Sequence, residues 1–302
     1  MRLVDCARMA AIDRKAREVY GIPAALLMED AGLGAWRLLR EEGWGGRLPD
    51  GEVLFLSGTG NNGGDALVMA RRARLEGLSA LAVVLGAGRP KPGSLAALNL
   101  GICSALGIPV LDYTKGRPAV LRRVARAACL VDGLLGTGVV GPVRTGLAGL
   151  IEKASRSPAQ RVAVDLPSGL GDSFRPGFPA LQAHWTLTIG LPKLCLYLPA
   201  ARGLCGDIRV VPGVFPAPLL EDPAIPGELL EGYSVRLPDL PREAHKGRRG
   251  HLAVFAGAEG TTGAAWLAAT AAARARTGLV TLFVDRALYG ACLPGFRSVM
   301  LR

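Results

Sequence analysis

Short apolar runs alternate with longer helical stretches between residues 50 and 211 of this 302-residue chain. The runs are rich in valine and leucine, which is typical of strands buried on both faces. This alternation predicts right-handed βαβ units, and therefore an α/β fold whose mainly parallel sheet is covered by helices on both faces. The predicted strands are 53–56, 81–85, 129–132, 162–165, 185–189 and 208–211. The predicted helices are 6–20, 23–42, 66–77, 94–106, 119–127 and 147–155.

The net charge of +11 comes almost wholly from arginine. The arginines recur at helical spacing beside apolar positions, which favours solvated helix faces; a polyanion-binding patch is the alternative. No basic run is interleaved with aromatic residues, so we predict no nucleic-acid partner. The sequence has no apolar stretch of about 18 residues and no signal-peptide core at its start. Six scattered cysteines without a C-x-x-C pair indicate a reducing compartment. We therefore expect a cytoplasmic protein with no membrane partner.

The segment SGTGNNGGD, residues 57–65, follows the first predicted strand. Its glycines Gly58, Gly60 and Gly63 satisfy G-x-G-x-x-G, the fingerprint of dinucleotide-binding folds. Such folds place an acidic residue about 20 residues later, at the end of the next strand, to hold the ribose hydroxyls. Here that strand ends in VVLGAGRP, which contains no acid. An NAD(P)-dependent oxidoreductase is therefore disfavoured.

The same segment is unusually polar, because Asn61, Asn62 and Asp65 crowd its turn. Side-chain oxygens beside exposed backbone groups suit a cation or a polar ligand better than a bare pyrophosphate. A tight turn with a helix cap is the alternative interpretation.

Two further polar loops follow predicted strands. VDGLLGTGVVGPV contains Asp132 and Thr137, and VDLPSGLGDS contains Asp165 and Ser168. The carboxyl ends of parallel strands form the ligand crevice of open α/β sheets. Helix capping would explain either aspartate alone, but three polar loops at strand ends predict one shared site.

The organisation changes near residue 212. Seven prolines lie between residues 212 and 241, which predicts a linker or a surface loop. Beyond it, GHLAVFAGAEGTTGAAWLAATAAARARTGLVTLFV predicts one βαβ unit, which cannot cover both faces of its own sheet. We predict a domain over 1–215, a proline-rich linker over 216–244, and the incomplete start of a second domain over 245–302.

In order and spacing, SGTGNNGGDALVMARR, VDGLLGTG and AVDLPSG resemble the YjeF N-terminal domain family, the NAD(P)H-hydrate epimerases. The resemblance covers about residues 1–215 and implies a Rossmann-like three-layer sandwich. The segment HKGRRGHLAVFAGAEGTTGAAWLAA is similar to the start of the ADP-dependent NAD(P)H-hydrate dehydratases, of ribokinase-like fold. ADP would serve only a complete dehydratase domain. Because the chain reaches only Arg302, we expect no dehydratase activity.

The resemblance implies repair of hydrated NADH and NADPH by interconversion of their R and S epimers. It also implies that residues of the three motifs bind the hydrated nucleotide. Inversion of the hydrated carbon needs a group that can move a proton, and we assign this acid–base role to Asp165 by hypothesis. The resemblance also implies a homodimer formed through the N-terminal helices. The implied ligands of one potassium ion are Asn62, Asp132 and Ser168. The implied substrate-binding residues are Asn61, Asn62, Gly63, Gly64, Asp65, Gly136, Thr137, Gly138, Val139, Val140, Gly141, Pro142 and Asp165.

Two residues depart from the family pattern, and a third has two alternative roles. Ala66 stands where the family has glycine, and we expect it to be the first helical residue, with an ordinary helical φ. Asp30 replaces an asparagine and adds negative charge near the predicted subunit contact. Lys193 is predicted either to neutralise a phosphate or to be solvated beside a turn. A non-catalytic binding module of the same fold remains the alternative function.

Overall fold

The computed structural model describes residues 1–231, 239, 241, 243–295 and 298–302. Contacts divide the chain into two compact units, Met1–Glu231 and Gly232–Arg302. Residues 232–238, 240 and 242 of the predicted linker lie outside the described residues. Among the described residues, no helix is long and apolar enough to cross a membrane.

The first unit is built on a seven-stranded sheet in which all neighbouring strands are parallel. The strand order is β4-β3-β2-β5-β6-β7-β8, which confirms the predicted α/β fold. The strands are β2 (Val53–Ser57), β3 (Leu81–Leu85), β4 (Val110–Asp112), β5 (Cys129–Gly133), β6 (Gln160–Val164), β7 (Trp185–Ile189) and β8 (Asp207–Val211). Strand β4 was not predicted, because three residues are too short a run for a strand pattern to stand out.

Helices cover both faces of this sheet. Val53 and Phe55 of β2 pack into one core with the first four helices, whereas Leu54 and Leu56 pack into a second core with the next two. Both faces of the strand are therefore apolar, as a parallel sheet requires. The helices of the first unit are α1 (Cys6–Glu18), α2 (Ala24–Leu38), α3 (Asn61–Leu75), α4 (Leu95–Ala105), α5 (Arg117–Val124), α6 (Thr145–Ser155), α7 (Pro199–Cys205) and α8 (Ala217–Leu220). A π-helical turn, Leu39–Gly43, extends α2.

The first unit extends beyond residue 215, the predicted domain boundary. The short strand β1 (Arg2–Leu3) pairs antiparallel with β9 (Gly227–Glu228). This pairing and α8 tie residues 217–228 to the first unit.

The second unit holds a three-stranded sheet in the order β10-β11-β12, with parallel neighbours. Its elements are β10 (His251–Phe255), α9 (Thr262–Arg274), β11 (Leu279–Phe283), α10 (Tyr289–Cys292) and β12 (Met300–Leu301). Its small core is formed by Ala265, Ala269, Val280 and Leu282. The βαβ unit predicted from the sequence is therefore present, and its ribokinase-like identity stays a prediction.

Candidate active site

A crevice of about 1270 Å³ lies within the first unit, along the carboxyl edge of the sheet. Segments that follow β2, β3, β5 and β6 line it, as does the end of β7. Open α/β sheets bind their ligands at this edge. Residues of α1 and α2 form an apolar wall: Met9, Leu27, Met28 and Ala31.

The start of α3 forms the middle of the crevice. The helix begins at Asn61, directly after the extended Gly60, so the predicted start at Ala66 was wrong. Asparagine and glycine have a low intrinsic preference for helices, but tertiary packing can override that preference, and this segment is helical. A side chain on Gly63 would overlap the backbone of Gly58, which shows how closely this first turn packs against the end of β2. The unpaired N–H groups of a helix start are suited to binding an anion such as phosphate.

Ala66 is buried inside α3 rather than at its first position. A Cβ on Gly133 would meet the Ala66 Cβ at 2.5 Å, so the side chain of Ala66 occupies space that Gly133 leaves free. Among the described residues other than glycine, only Asp165 and Arg276 have positive φ. The expected ordinary φ of Ala66 is therefore correct.

Asp165 lies just beyond the end of β6 and lines the crevice. Its φ is 66°, in the left-handed region, which costs a non-glycine residue about 1–2 kcal/mol. Its backbone N–H donates to the Leu187 carbonyl at 2.8 Å, and its Oδ1 accepts from the Ile189 N–H at 3.1 Å. Strained residues that neighbouring groups hold in place cluster at functional sites.

Lys193 is fully buried, and its ammonium forms an ion pair with Asp165. The ammonium also donates to Thr188 Oγ1 at 3.1 Å and to the Ile189 carbonyl at 2.6 Å. The segment just before Lys193 is held by Val4, whose N–H donates to the Pro192 carbonyl at 3.1 Å. Of the two alternatives for Lys193, a solvated side chain is therefore wrong, and neutralisation of a phosphate stays a prediction. The position of Lys193 after β7, the strand beside β6, was the signal that places it next to Asp165.

Asp65 is a second buried carboxyl that lines the crevice. Burial raises its pKa well above the usual range, and the charges of Asp165 and Asp13 raise it further, while Lys193 lowers it. Among the described residues Asp65 has no cationic partner in an ion pair. The crevice thus holds one carboxyl beside a cation and another in an environment that favours the protonated form, a pattern typical of acid–base pairs.

Asp132 and Ser168, both fully buried, bind each other beside Leu135, which lines the crevice. The Ser168 hydroxyl donates to Asp132 Oδ1 at 2.6 Å, and the Ser168 N–H donates to Oδ2 at 2.8 Å. Burial raises the pKa of Asp132 to about 6, against these hydrogen bonds, which lower it. Asn62 Nδ2 donates to the Leu135 carbonyl at 2.8 Å, and the Leu135 N–H donates to Ser168 Oγ at 2.8 Å.

Asn62 Oδ1 is buried and has no hydrogen-bond partner among the described residues. Native proteins rarely leave such an oxygen unpaired. Amide, carboxylate and hydroxyl oxygens are hard ligands of the kind that alkali and alkaline-earth cations take. The predicted ligand set therefore fits a cation by the chemistry of its donors.

The predicted substrate-binding residues divide into two groups. Those that line the crevice are Asn61, Asn62, Gly63, Asp65, Gly136, Thr137, Gly138, Val139, Val140, Pro142 and Asp165. Two others do not line it. Gly64 packs against Met28, and the Gly141 N–H donates to Ser173 Oγ at 2.9 Å. Their assignment to the substrate stays a prediction.

Known proteins of similar sequence and fold identify the family of this chain. Residues 24–195 match the model of the YjeF-related protein N-terminus. The chain is 36% identical over 233 residues to a NAD(P)H-hydrate epimerase of Rhodopirellula baltica, covering 77% of this chain and 88% of that protein. A yeast crystal structure, ynu0 (YNL200c), superimposes with a TM-score of 0.58 at 25% identity, covering 65% of this chain and 83% of the yeast chain.

A longer relative matches both units. The chain is 36% identical over 296 residues to a bifunctional NAD(P)H-hydrate repair enzyme, Nnr, of Moorella thermoacetica. The match covers 96% of this chain but 55% of the relative, so the chain spans about half the length of that protein. These matches confirm the resemblance drawn from the three motifs: the chain belongs to the family of the YjeF-related protein N-terminus.

Proposed function

We propose that this protein interconverts the R and S epimers of hydrated NADH and NADPH, as an isomerase of nicotinamide nucleotide repair. The family membership and the epimerase named among its relatives support the reaction. The observation that carries the proposal is the Asp165–Lys193 pair, which faces a crevice beside the start of α3. That arrangement offers a proton-transferring group and a phosphate-binding helix start in one cavity.

The chemistry requires proton transfer at the hydrated carbon. That carbon bears a hydroxyl group beside the ring nitrogen, and its inversion needs either loss of the hydroxyl or opening of the ring. By the ring-opening route, Asp165 accepts the hydroxyl proton while the bond between the carbon and the ring nitrogen breaks; the hydroxyl becomes an aldehyde, and the nitrogen keeps the bonding electrons and takes up the proton. Reversal of these steps on the other face of the aldehyde gives the opposite epimer, and Lys193 holds the carboxylate in place. Asp65, in its protonated form, donates a hydrogen bond to the altered ring. The phosphates lie against the start of α3 and the loop 136–142.

A potassium ion bound by Asn62, Asp132 and Ser168 belongs to the same proposal. The unpaired Asn62 Oδ1 and the buried Asp132 carboxylate support it. The ion would supply positive charge beside the crevice and fix the Asn62 side chain at the first turn of α3. The residues of α3 would then be held in a defined position for the substrate.

The test follows the epimer ratio of R-enriched hydrated NADPH by chromatography. Wild-type protein should approach the equilibrium mixture faster than spontaneous conversion, and faster with potassium than with an equal concentration of tetramethylammonium. Asp165→Asn should reduce this rate at least 100-fold, because a positioned acid–base group contributes about 10²–10⁴-fold. Asp207→Asn is the matched control, since Asp207 is exposed at the amino end of β8, away from the crevice.

Full activity of Asp165→Asn would refute its acid–base role. A wild-type protein that binds the hydrate without accelerating conversion would be the non-catalytic module instead. Homodimerisation through α1 and α2 and a cytoplasmic location stay predictions. We propose only the epimerase step, because the chain spans about half of the bifunctional relative.

A further inference from the structure

The crevice has two distinct ends, defined by the strand order. Asp165 follows β6, whereas Tyr113, Thr114 and Arg117 follow β4 at the opposite end. Four strand spacings separate β6 from β4 in the order β4-β3-β2-β5-β6. At roughly 4.8 Å each they span about 19 Å. If the hydrated ring lies at Asp165 and the phosphates at α3, the adenosine half extends toward Arg117.

Arg117 is exposed at this far end and free to bind an anion. Its guanidinium lies 5.0 Å from the centre of the Tyr113 ring and donates to the Gly146 carbonyl at 3.1 Å. These contacts hold the side chain at the crevice without neutralising it. In the part of the chain that the structure describes, no carboxylate forms an ion pair with Arg117.

The surrounding residues favour a phosphate over a free ribose hydroxyl. Folds that select the hydroxyl place a carboxylate at the end of the adjoining strand, whereas an arginine nearby accommodates a 2′-phosphate. Here β3 is followed by Gly86 and Ala87, which line the crevice. The acidic residue nearest to Arg117 in the sequence is Asp112. It accepts hydrogen bonds from Thr114 Oγ1 and N at 2.6 and 2.9 Å and is not among the crevice-lining residues.

Resting on the proposed function, we propose that Arg117 binds the 2′-phosphate of hydrated NADPH, so that this protein prefers hydrated NADPH to hydrated NADH. A guanidinium matches the oxygens of a phosphate through two parallel hydrogen bonds. Arg144, which also lines the crevice, follows the loop 136–142 and is assigned to the pyrophosphate that both substrates share.

The experiment measures kcat/KM for epimerisation of both hydrates by wild type and four variants. Arg117→Met should lower the preference for hydrated NADPH by about 10- to 100-fold, as expected for loss of a charge-assisted hydrogen bond. Arg117→Lys should retain part of that preference, because lysine keeps the positive charge but cannot form the two parallel hydrogen bonds of a guanidinium. Arg144→Met should lower both values by a similar factor. Arg122→Met is the matched control, because Arg122 is exposed on the same helix and does not line the crevice.

An unchanged preference in Arg117→Met would overturn the inference, as would a selective loss in Arg144→Met. If wild type epimerises neither hydrate, the proposed function fails while the inference can still be tested by calorimetry. Adenosine 2′,5′-bisphosphate should then bind at least tenfold more tightly than AMP to wild type, and Arg117→Met should abolish the difference. Equal binding of the two nucleotides by wild type would refute the phosphate site itself.

Discussion

Lys193 shows how a single buried side chain can organise a site. Its buried ammonium donates hydrogen bonds to Asp165, Thr188 and the Ile189 carbonyl in place of water. A buried charge needs such compensation, and breaking a buried pair costs more than the pair itself contributes. The lysine therefore fixes both the charge and the position of the strained Asp165.

Replacing Lys193 with methionine should destabilise the protein by about 3–5 kcal/mol, because Asp165 would be left without its counter-charge. Urea denaturation measures the loss, and Lys153→Met, an exposed lysine of α6, is the control. The double variant Asp165→Asn/Lys193→Met should be more stable than Lys193→Met alone. A single variant as stable as wild type would contradict the pairing.

Asp65 should make stability depend on pH. In the unfolded chain its pKa is about 3.8, and burial raises the folded value well above this. The folded state therefore binds the proton more tightly, so stability contributed below the unfolded pKa is lost as pH rises through the folded pKa. Asp65→Asn removes this titration, and its thermal stability should exceed that of wild type increasingly above pH 4.

Asp112 supplies a control of opposite sign. Hydrogen bonds from Thr114 lower its pKa, so its ionised form stabilises the fold above the unfolded pKa. Relative to wild type, Asp112→Asn should therefore lose stability as pH rises from the folded pKa of Asp112 to its unfolded pKa of about 3.8, and the deficit should stay constant at higher pH, where the advantage of Asp65→Asn still grows. The same pH trend in both variants would refute the environment assigned to Asp65.

At the scale of elements, the first turn of α3 depends on close backbone packing. A side chain on Gly58 would overlap the carbonyl oxygen of Leu134, whereas one on Gly60 would meet nothing within 4 Å. The two glycines of the same fingerprint therefore have different roles. Gly58 lets β2 approach the loop after β5, and Gly60 gives the extended residue before the helix.

Gly58→Ala should lower stability by about 1–3 kcal/mol and distort the crevice, because overpacking shifts the backbone. Gly60→Ala should change stability by less than about 1 kcal/mol, since its φ of −96° suits alanine. Thermal unfolding of both variants measures the difference. Equal losses of stability in the two variants would show that both glycines are needed for their backbone conformation and not for close packing at Gly58.

The sequence allowed six of the seven strands of the sheet and the three polar loops to be predicted, because buried parallel strands carry continuous apolar runs. It did not reveal that α3 begins at Asn61, since NNGGD has the composition of a loop, whereas in the structure this segment is helical and packs closely against Gly58 and Met28. Nor did it pair Lys193 with Asp165, because the two are joined by the adjacency of β6 and β7 rather than by sequence spacing.

At the scale of the whole molecule, every crevice residue belongs to the first unit. That unit contains the complete seven-stranded sheet and both of its apolar cores. The pairing of β1 with β9 also closes within it. Each residue to which we assign a part in the proposed epimerase step lies in the first unit.

A protein comprising residues 1–231 should therefore fold in a single cooperative transition and retain epimerase activity within about threefold of the full chain. Circular dichroism on heating and the epimer assay measure the two properties. A shorter protein, residues 1–215, removes α8 and β9 and should melt at a lower temperature. Loss of activity in the 1–231 protein would mean that the second unit supports the site.

The left-handed backbone of Asp165 sets two evolutionary pressures against each other. Glycine would adopt that conformation without strain, and asparagine tolerates it better than most residues. Because the buried ammonium of Lys193 needs a counter-charge, drift filtered only for a stable fold should replace Asp165 and Lys193 together, and only selection for catalysis should keep the pair. Glycine or asparagine at position 165, together with an uncharged residue at position 193, would mark a descendant that kept the scaffold and gave up its chemistry, before the rest of the crevice had begun to change.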